Sequence, residues 1–327
     1  MKTLIQEKNH LLDNQLNSFK DDVLRGLGSK PKFLQPKYFY DANGDRIFQE
    51  IMRTPEYYLT DAELEIIRTR CTDIVAWLTK KTTAINVIEL GAGDALKSAE
   101  LLKCLLKESV TFTYVPIDIS ENVITLLEKE LPQKLPGLQL KGFIGDYFEA
   151  LSEAAEVSGG QKLVLLLGAN IGNMFPYEAE LFLKKLRSFL SAGDLVLVGF
   201  DLKKNPWTVF RAYNDWKGIT KDFNLNLLRR INHELDGDFN IELFDHYESY
   251  DPETGACKSY LISLADQIVT VAGEEFRFEE NECIFMEISQ KYSLEEINQL
   301  AKVAGFLPLA ELQDSKKQFV DVIWQVQ

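Results

Sequence analysis

Glu287 and Ser289 stand two positions apart in "IFMEISQKY", a stretch that reads as a strand. Side chains alternate across a strand, so Phe285, Glu287 and Ser289 share one face while Met286, Ile288 and Gln290 share the other. On a solvated face the pair has nothing to do. On an enclosed face a carboxylate and a hydroxyl are held ready for a partner. A second set of candidates lies in "VIELGAGDALKS", with Glu89 at a strand end, Gly91 and Gly93 in the turn and a helix directly after. Glycines there let the backbone approach a ligand, and the helix N-terminus favours an anionic group.

Two more strand ends carry carboxylates. Asp118 closes "VPID", where it can accept both hydroxyls of a ribose. Asp146 closes "FIGD", where an acceptor can meet an adenine amino group and Tyr147 can pack beside the ring. Either Asp alone reads equally well as a helix cap or a solvated turn. Three such features at successive strand ends are more telling, because open parallel sheets bind ligands at their carboxyl edge. Leu96 occupies the place of the third glycine of a dinucleotide fingerprint, so the layout suits S-adenosylmethionine better than NAD.

The elements that would position these groups follow from periodicity. "LTDAELEIIRTRCTDIVAWLTK" is helical: Thr60 and Glu63 have capping-box spacing, and Leu64, Ile67, Cys71, Ile74 and Leu78 form one buried stripe. Strand and helix then alternate, through "INVIEL", "ALKSAELLKCLL", "TFTYVPID", "SENVITLLEKEL" with Ser120 as N-cap, "LKGFIGD", "KLVLLLG", "YEAELFLKKLRSFL" and "DLVLVGFD". Strands with so little polar alternation are buried on both faces, as in a doubly wound α/β sheet. From Leu202 to about Asn240 the chain reads as helix, followed by the strands "NIELFDHYESY", "CKSYLISLA", "DQIVTVAG" and "NECIFMEISQKYS", which look antiparallel. The ending, "LEEINQLAKVAG", "FLPLAEL" and "KQFVDVIWQVQ", returns to a helix and a hairpin at the edge of the first sheet. The expected division is a sheet domain over 62–203 and 292–327, with an α+β substrate-binding domain over 1–61 and 204–291 inserted in it.

Composition narrows the function classes. A formal charge of −14 over 327 residues, without a Lys/Arg run, argues against nucleic acid as a partner. "MKTLIQEKNHLLDNQL" lacks the apolar core of a signal peptide and no stretch is long enough for a membrane helix, so a cytoplasmic protein is expected. Cys71, Cys104, Cys257 and Cys283 form no CxxC and are expected to be reduced, buried thiols. His10, His233 and His246 show no metal-ligand spacing, so surface or capping roles are expected and no metal.

"PKYFYDANGDRIFQEIMRTPEYYLTDAE", "ELGAGDALKS", "LGANIGN", "RAYND" and "FMEISQKY", in this order, resemble the S-adenosylmethionine-dependent L-histidine Nα-methyltransferases of ergothioneine biosynthesis. The similarity runs from about Pro31 to the carboxyl terminus. It implies a Rossmann-like class I methyltransferase sheet and stepwise addition of three methyl groups to the α-amine of histidine. By position it implies a donor site of Tyr40, Gly91, Lys97, Asp118, Asp146, Tyr147 and Gly168, beside Gly93 of the turn. It further implies that Asn173 and Tyr213 hold the amino-acid end, that Tyr57, Glu287 and Ser289 hold the imidazole, and that Asn173, Tyr213 and Tyr40 serve the chemistry. Some members carry Met near Ser259, beside the imidazole. A monomer acting on free histidine is expected. Two rival readings remain at this stage: the same chemistry on another amino acid or small amine, and a nicotinamide-dependent oxidoreductase. A sensor that binds without turnover is disfavoured by Asn173, Tyr213, Glu287 and Ser289 all being present.

Overall fold

A strand without polar alternation has no face to offer water, and every residue of Ile85–Leu90 and of Leu195–Asp201 is buried. The computed structural model describes residues 16–78, 85–157 and 160–327; His10 and the stretch read for a leader lie outside the described residues. These two strands belong to an eight-stranded sheet with the order Phe306–Gln313, Phe319–Val326, Leu195–Asp201, Gln161–Leu166, Ile85–Leu90, Phe112–Asp118, Gln139–Leu140, and Phe143–Ile144 also paired to Phe112–Asp118. The pairs from Leu195–Asp201 to Gln139–Leu140 are parallel, whereas the carboxyl-terminal hairpin joins antiparallel through Phe319–Val326. This is the Rossmann-like class I sheet expected, with the hairpin at its edge.

One expected strand is broken. "LKGFIGD" forms two short pieces, because Gly142 interrupts the ladder where a Cβ would strike Ile124 and Glu128 of the neighbouring helix. That helix, Glu121–Lys134, is capped by Ser120, whose hydroxyl accepts from the Val123 N–H at 3.3 Å.

The chain divides into two compact units. The sheet unit comprises Leu59–Lys203 with Gln290–Gln327, and the insert unit comprises residues up to Tyr58 with Lys204–Ser289. The core of the sheet unit joins Ile88, Leu90, Val164, Leu166, Val198 and Trp324. In the insert unit a four-stranded sheet runs Lys32–Phe33, Cys283–Gln290, Ala256–Ser263, Phe244–Tyr250. Its first strand, which the sequence reading did not include, is parallel to the second, while Phe244–Tyr250 and Ala256–Ser263 pair antiparallel as expected. The helices Ala42–Ile51 and Ile219–Glu234 pack together in this unit, and Phe223, Leu227, Leu261, Ile284 and Met286 lie in its core.

The cysteine and histidine expectations need correction. Cys71 and Cys104 face each other from the packed helices Leu59–Leu78 and Leu96–Lys107, with Cα atoms 6.3 Å apart, and form a disulfide. Cys257 is a buried thiol but Cys283, at the start of its strand, is exposed. His233 is exposed, whereas the His246 side chain is buried 3.7 Å from Glu248, and burial lowers its pKa to about 4. Among the described residues no group of three or more His, Cys, Asp or Glu is arranged for a metal, and no helix is long and apolar enough to cross a membrane.

At the end of Leu195–Asp201 the Lys291 ammonium meets the Asp201 carboxylate at 2.8 Å, both side chains fully buried. Removing one partner of such a pair strands the other charge in a medium that cannot solvate it. Lys291→Met is expected to cost about 3–5 kcal/mol in urea unfolding, far more than the loss of an exposed ion pair would.

Candidate active site

At the carboxyl edge of the sheet unit the turn after Leu90 is built for close approach. Gly91 and Gly93 both have positive φ, +75° and +52°. A Cβ on Gly91 would lie 2.7 Å from the Tyr147 hydroxyl and 3.3 Å from Asn170 Nδ2, so only hydrogen fits. Half-buried Asp118 accepts from the Gly93 N–H at 3.1 Å with Oδ2 and from the Ser120 N–H at 2.9 Å with Oδ1. An ionised carboxylate has about four acceptor positions, so two backbone bonds orient it and leave room for two hydroxyls. Asp146 is exposed and accepts from the Phe148 N–H at 2.9 Å. Burial, reinforced by the charges of Asp118 and Asp146, raises the Tyr147 phenol to about 12, so it remains a neutral donor.

The same edge continues through Gly168, with φ +78°. Its N–H donates to both oxygens of Glu63, at 2.8 and 2.9 Å, and the Lys97 ammonium donates to Oε2 at 2.6 Å. Glu63 is therefore no member of a capping box: its side chain is fully buried and turned toward the strand ends. Asn173 ends the short 3-10 turn Asn170–Asn173 and is exposed. Gly172 of that turn must be glycine, since a Cβ would lie 2.8 Å from the Gln290 carbonyl oxygen.

Glu89 sits one residue before this turn, buried, and accepts a short hydrogen bond from the Tyr114 hydroxyl. Burial pushes its carboxyl up to about 7, against the pull of Tyr114, Ser98 and Lys97 and with a small addition from Glu63.

In the insert unit, Glu287 is half-buried and Ser289 is 8% exposed, so their strand face is not a solvated one. The Ser289 and Tyr213 hydroxyls are hydrogen-bonded at 2.8 Å. Tyr213 is the last residue of the helix Pro206–Tyr213, which starts where Asn205 accepts from the Trp207 N–H at 2.9 Å. Tyr213 meets Tyr57 edge to face at 6.0 Å; Tyr57 meets Phe48 at 6.3 Å, and Phe48 meets Tyr40 at 5.7 Å. Phe223 lies against both Tyr40 and Phe48. Tyr40 is set by the residue after it: Asp41 caps the helix Ala42–Ile51, accepting from the Gly44 N–H at 2.6 Å and from Asn226 Nδ2 at 2.8 Å.

Ser259 has no place beside Glu287. Tyr260 packs on Phe285, which shares the face of Glu287, so Ser259 must point to the opposite face. There its hydroxyl donates to buried Glu248 at 2.6 Å.

Residues 19–326 match the family described as histidine-specific, S-adenosylmethionine-dependent methyltransferase. The chain belongs to this family. It is 33% identical over 287 residues to the histidine N-alpha-methyltransferase of Mycolicibacterium smegmatis, covering 87% of this chain and 88% of the relative. It is 30% identical to ergothioneine biosynthesis protein 1 of Neurospora crassa, over 86% of this chain and 32% of that longer protein. N-methyltransferase fsqC of Aspergillus fumigatus is 25% identical, over 88% of this chain and 78% of its own length.

The chain is thus an S-adenosylmethionine-dependent methyltransferase, and the carboxyl edge of its sheet fits the methyl donor. The open space beside Gly93, where a Cβ would meet nothing within 4 Å, the oriented Asp118 carboxylate and neutral Tyr147 suit a ribose and an adenine. Gly91, Gly93, Lys97, Asp118, Asp146, Tyr147 and Gly168 belong to the sheet unit, as does Asn173. Tyr40, Tyr57, Tyr213, Glu287 and Ser289 belong to the insert unit. The place of Glu63 at this edge escaped the sequence reading. One signal was available: Gly199, a glycine inside the apolar strand "LVLVGFD", marks a close approach.

Glu89 gives a pH test. Its folded pKa lies above the ordinary carboxyl value, so folding favours the protonated form; that stabilisation is complete below about pH 4.5 and is lost as pH rises through about 7. Relative to wild type, Glu89→Gln should therefore gain about 2 kcal/mol of stability between about pH 5 and about pH 8, read from paired denaturation curves.

Proposed function

We propose that this enzyme transfers three methyl groups in succession from S-adenosylmethionine to the α-amine of L-histidine. The product is N,N,N-trimethylhistidine (hercynine), a step toward ergothioneine. The observation that carries the substrate assignment is the Glu287 and Ser289 pair: one half-buried strand face, with the Tyr213 hydroxyl 2.8 Å from Ser289, in a chain of this family. Imidazole has two ring nitrogens, and a protein tells it from phenyl or indole by pairing with them. Glu287 would accept from the ring N–H, and Ser289, polarised by Tyr213, would meet the same edge.

Gly91, Gly93, Lys97, Asp118, Asp146, Tyr147, Gly168 and Tyr40 would hold the donor. When bound, it supplies an electrophilic methyl carbon on a sulfonium, so the protein has mainly to align, exclude water and manage one proton per turn. Only a neutral amine has a lone pair. Asn173 and Tyr213 would hold the amino and carboxylate end and orient that lone pair, passing the released proton to water. A positive charge close by lowers the amine's pKa, so no strong dedicated base is required. The product is a permanent cation, and aromatic faces tolerate one at about 0.5–2 kcal/mol each. Tyr40, Phe48, Tyr57 and Tyr213, in edge-to-face series, supply such faces. In this reading the enzyme works as a monomer in the cytoplasm.

A second acceptor, another amino acid or small amine, is kept open by the relative named only as an N-methyltransferase. Purified protein incubated with donor and histidine should give, by mass spectrometry, additions of one, two and then three methyl groups; histidine unchanged after exhaustive incubation refutes the assignment. Glu287→Ala should raise the KM for histidine about tenfold or more while donor affinity stays unchanged. Unaltered histidine selectivity would favour the second acceptor.

A further inference from the structure

The Glu63 side chain is fully buried at the carboxyl edge of the sheet, and four observations on its surroundings converge. Its two oxygens share the Gly168 N–H, at 2.8 and 2.9 Å. Its Oε2 takes the Lys97 ammonium at 2.6 Å. The strand Leu195–Asp201 is apolar and buried throughout, yet carries Gly199 where the carboxylate lies: a Cβ there would collide with Oε1 and come within 3.0 Å of the Phe319 ring. Directly across the ladder from Gly199 stands Asp321, fully buried and beside Glu63. Burial and the neighbouring Glu63 charge hold the Asp321 carboxyl well above its usual range, which favours the neutral acid beside Glu63.

We propose that Glu63 is a positioning residue for methyl-donor binding, its carboxylate locking the Gly168 turn and the Lys97 side chain into one rigid piece. The proposal rests on the functional reading above, because it takes Gly168 and Lys97 as donor contacts. A Cβ on Gly168 would lie 3.0 Å from Lys97 Nζ, so the two cannot be set independently. A charge-assisted bond to a fully buried carboxylate is a strong restraint on both. An ordinary buried ion pair would stabilise the fold and no more. A positioning residue has a further signature: its loss separates donor affinity from acceptor affinity.

The test uses two variants of the full chain, each checked for folding by circular dichroism. Glu63→Gln keeps the size and an acceptor for the Gly168 N–H but removes the charge that holds Lys97. Gly199→Ala leaves every polar group in place and puts a methyl where the carboxylate lies. Both are expected to weaken S-adenosylhomocysteine binding by calorimetry about tenfold, while the histidine KM at saturating donor stays within about twofold. The assignment is overturned if both variants bind S-adenosylhomocysteine within about twofold of wild type, if donor and histidine parameters fall together, or if neither variant folds. Failure of the wild-type protein to bind S-adenosylhomocysteine would instead sink the functional reading itself.

Discussion

The constraint on which the sheet unit depends is that its central strands have no wet face. A polar group within them must find a partner inside or be displaced to the strand ends. Asp118 and Asp146 are at the ends, where backbone N–H groups of the following turns orient their carboxylates. Glu89 is inside its strand, its carboxyl taken by the Tyr114 hydroxyl; Asp201 at a buried strand end takes Lys291, and Glu63 on the covering helix takes Lys97. Chemistry at the edge and apolar packing beneath it are two results of one requirement.

The insert unit meets a different requirement, that its clustered polar groups hold still. Strand positions 287 and 289 cannot rotate relative to each other, since the pleat fixes both on one face. A helix end supplies the Tyr213 hydroxyl, and the ring series back to Tyr40 ties the segment after Phe39 into the unit. Asp41 contributes from the other side by capping the helix that begins at Ala42.

Much of this could be read from the sequence, for physical reasons. Uninterrupted apolar runs such as "INVIEL" and "DLVLVGFD" identify doubly buried strands, and glycines and carboxylates at their ends identify the binding edge. The late hairpin was legible for the same reason. What could not be read depends on three-dimensional neighbours. Glu63 has the spacing of a helix cap, and only the fold shows that Gly168 and Lys97 compete for it and win. Ser259 has the right sequence distance from the substrate strand, but strand parity turns it to Glu248. Cys71 and Cys104 are 33 residues apart with no motif between them, and the packing of two helices brings them together.

The chain leaves the sheet unit after Lys203 and re-enters it at Gln290. At that crossing Leu202 bridges Tyr292, and the backbones of Lys203 and Tyr292 are hydrogen-bonded at 2.9 Å. Outgoing and returning segments thus share one anchorage. An attachment of that kind lets the segment between Lys204 and Ser289 be remodelled by evolution, or by an engineer, while the sheet residues flanking it keep their register. Diversification of acceptors around an unaltered donor apparatus is the outcome such an attachment invites.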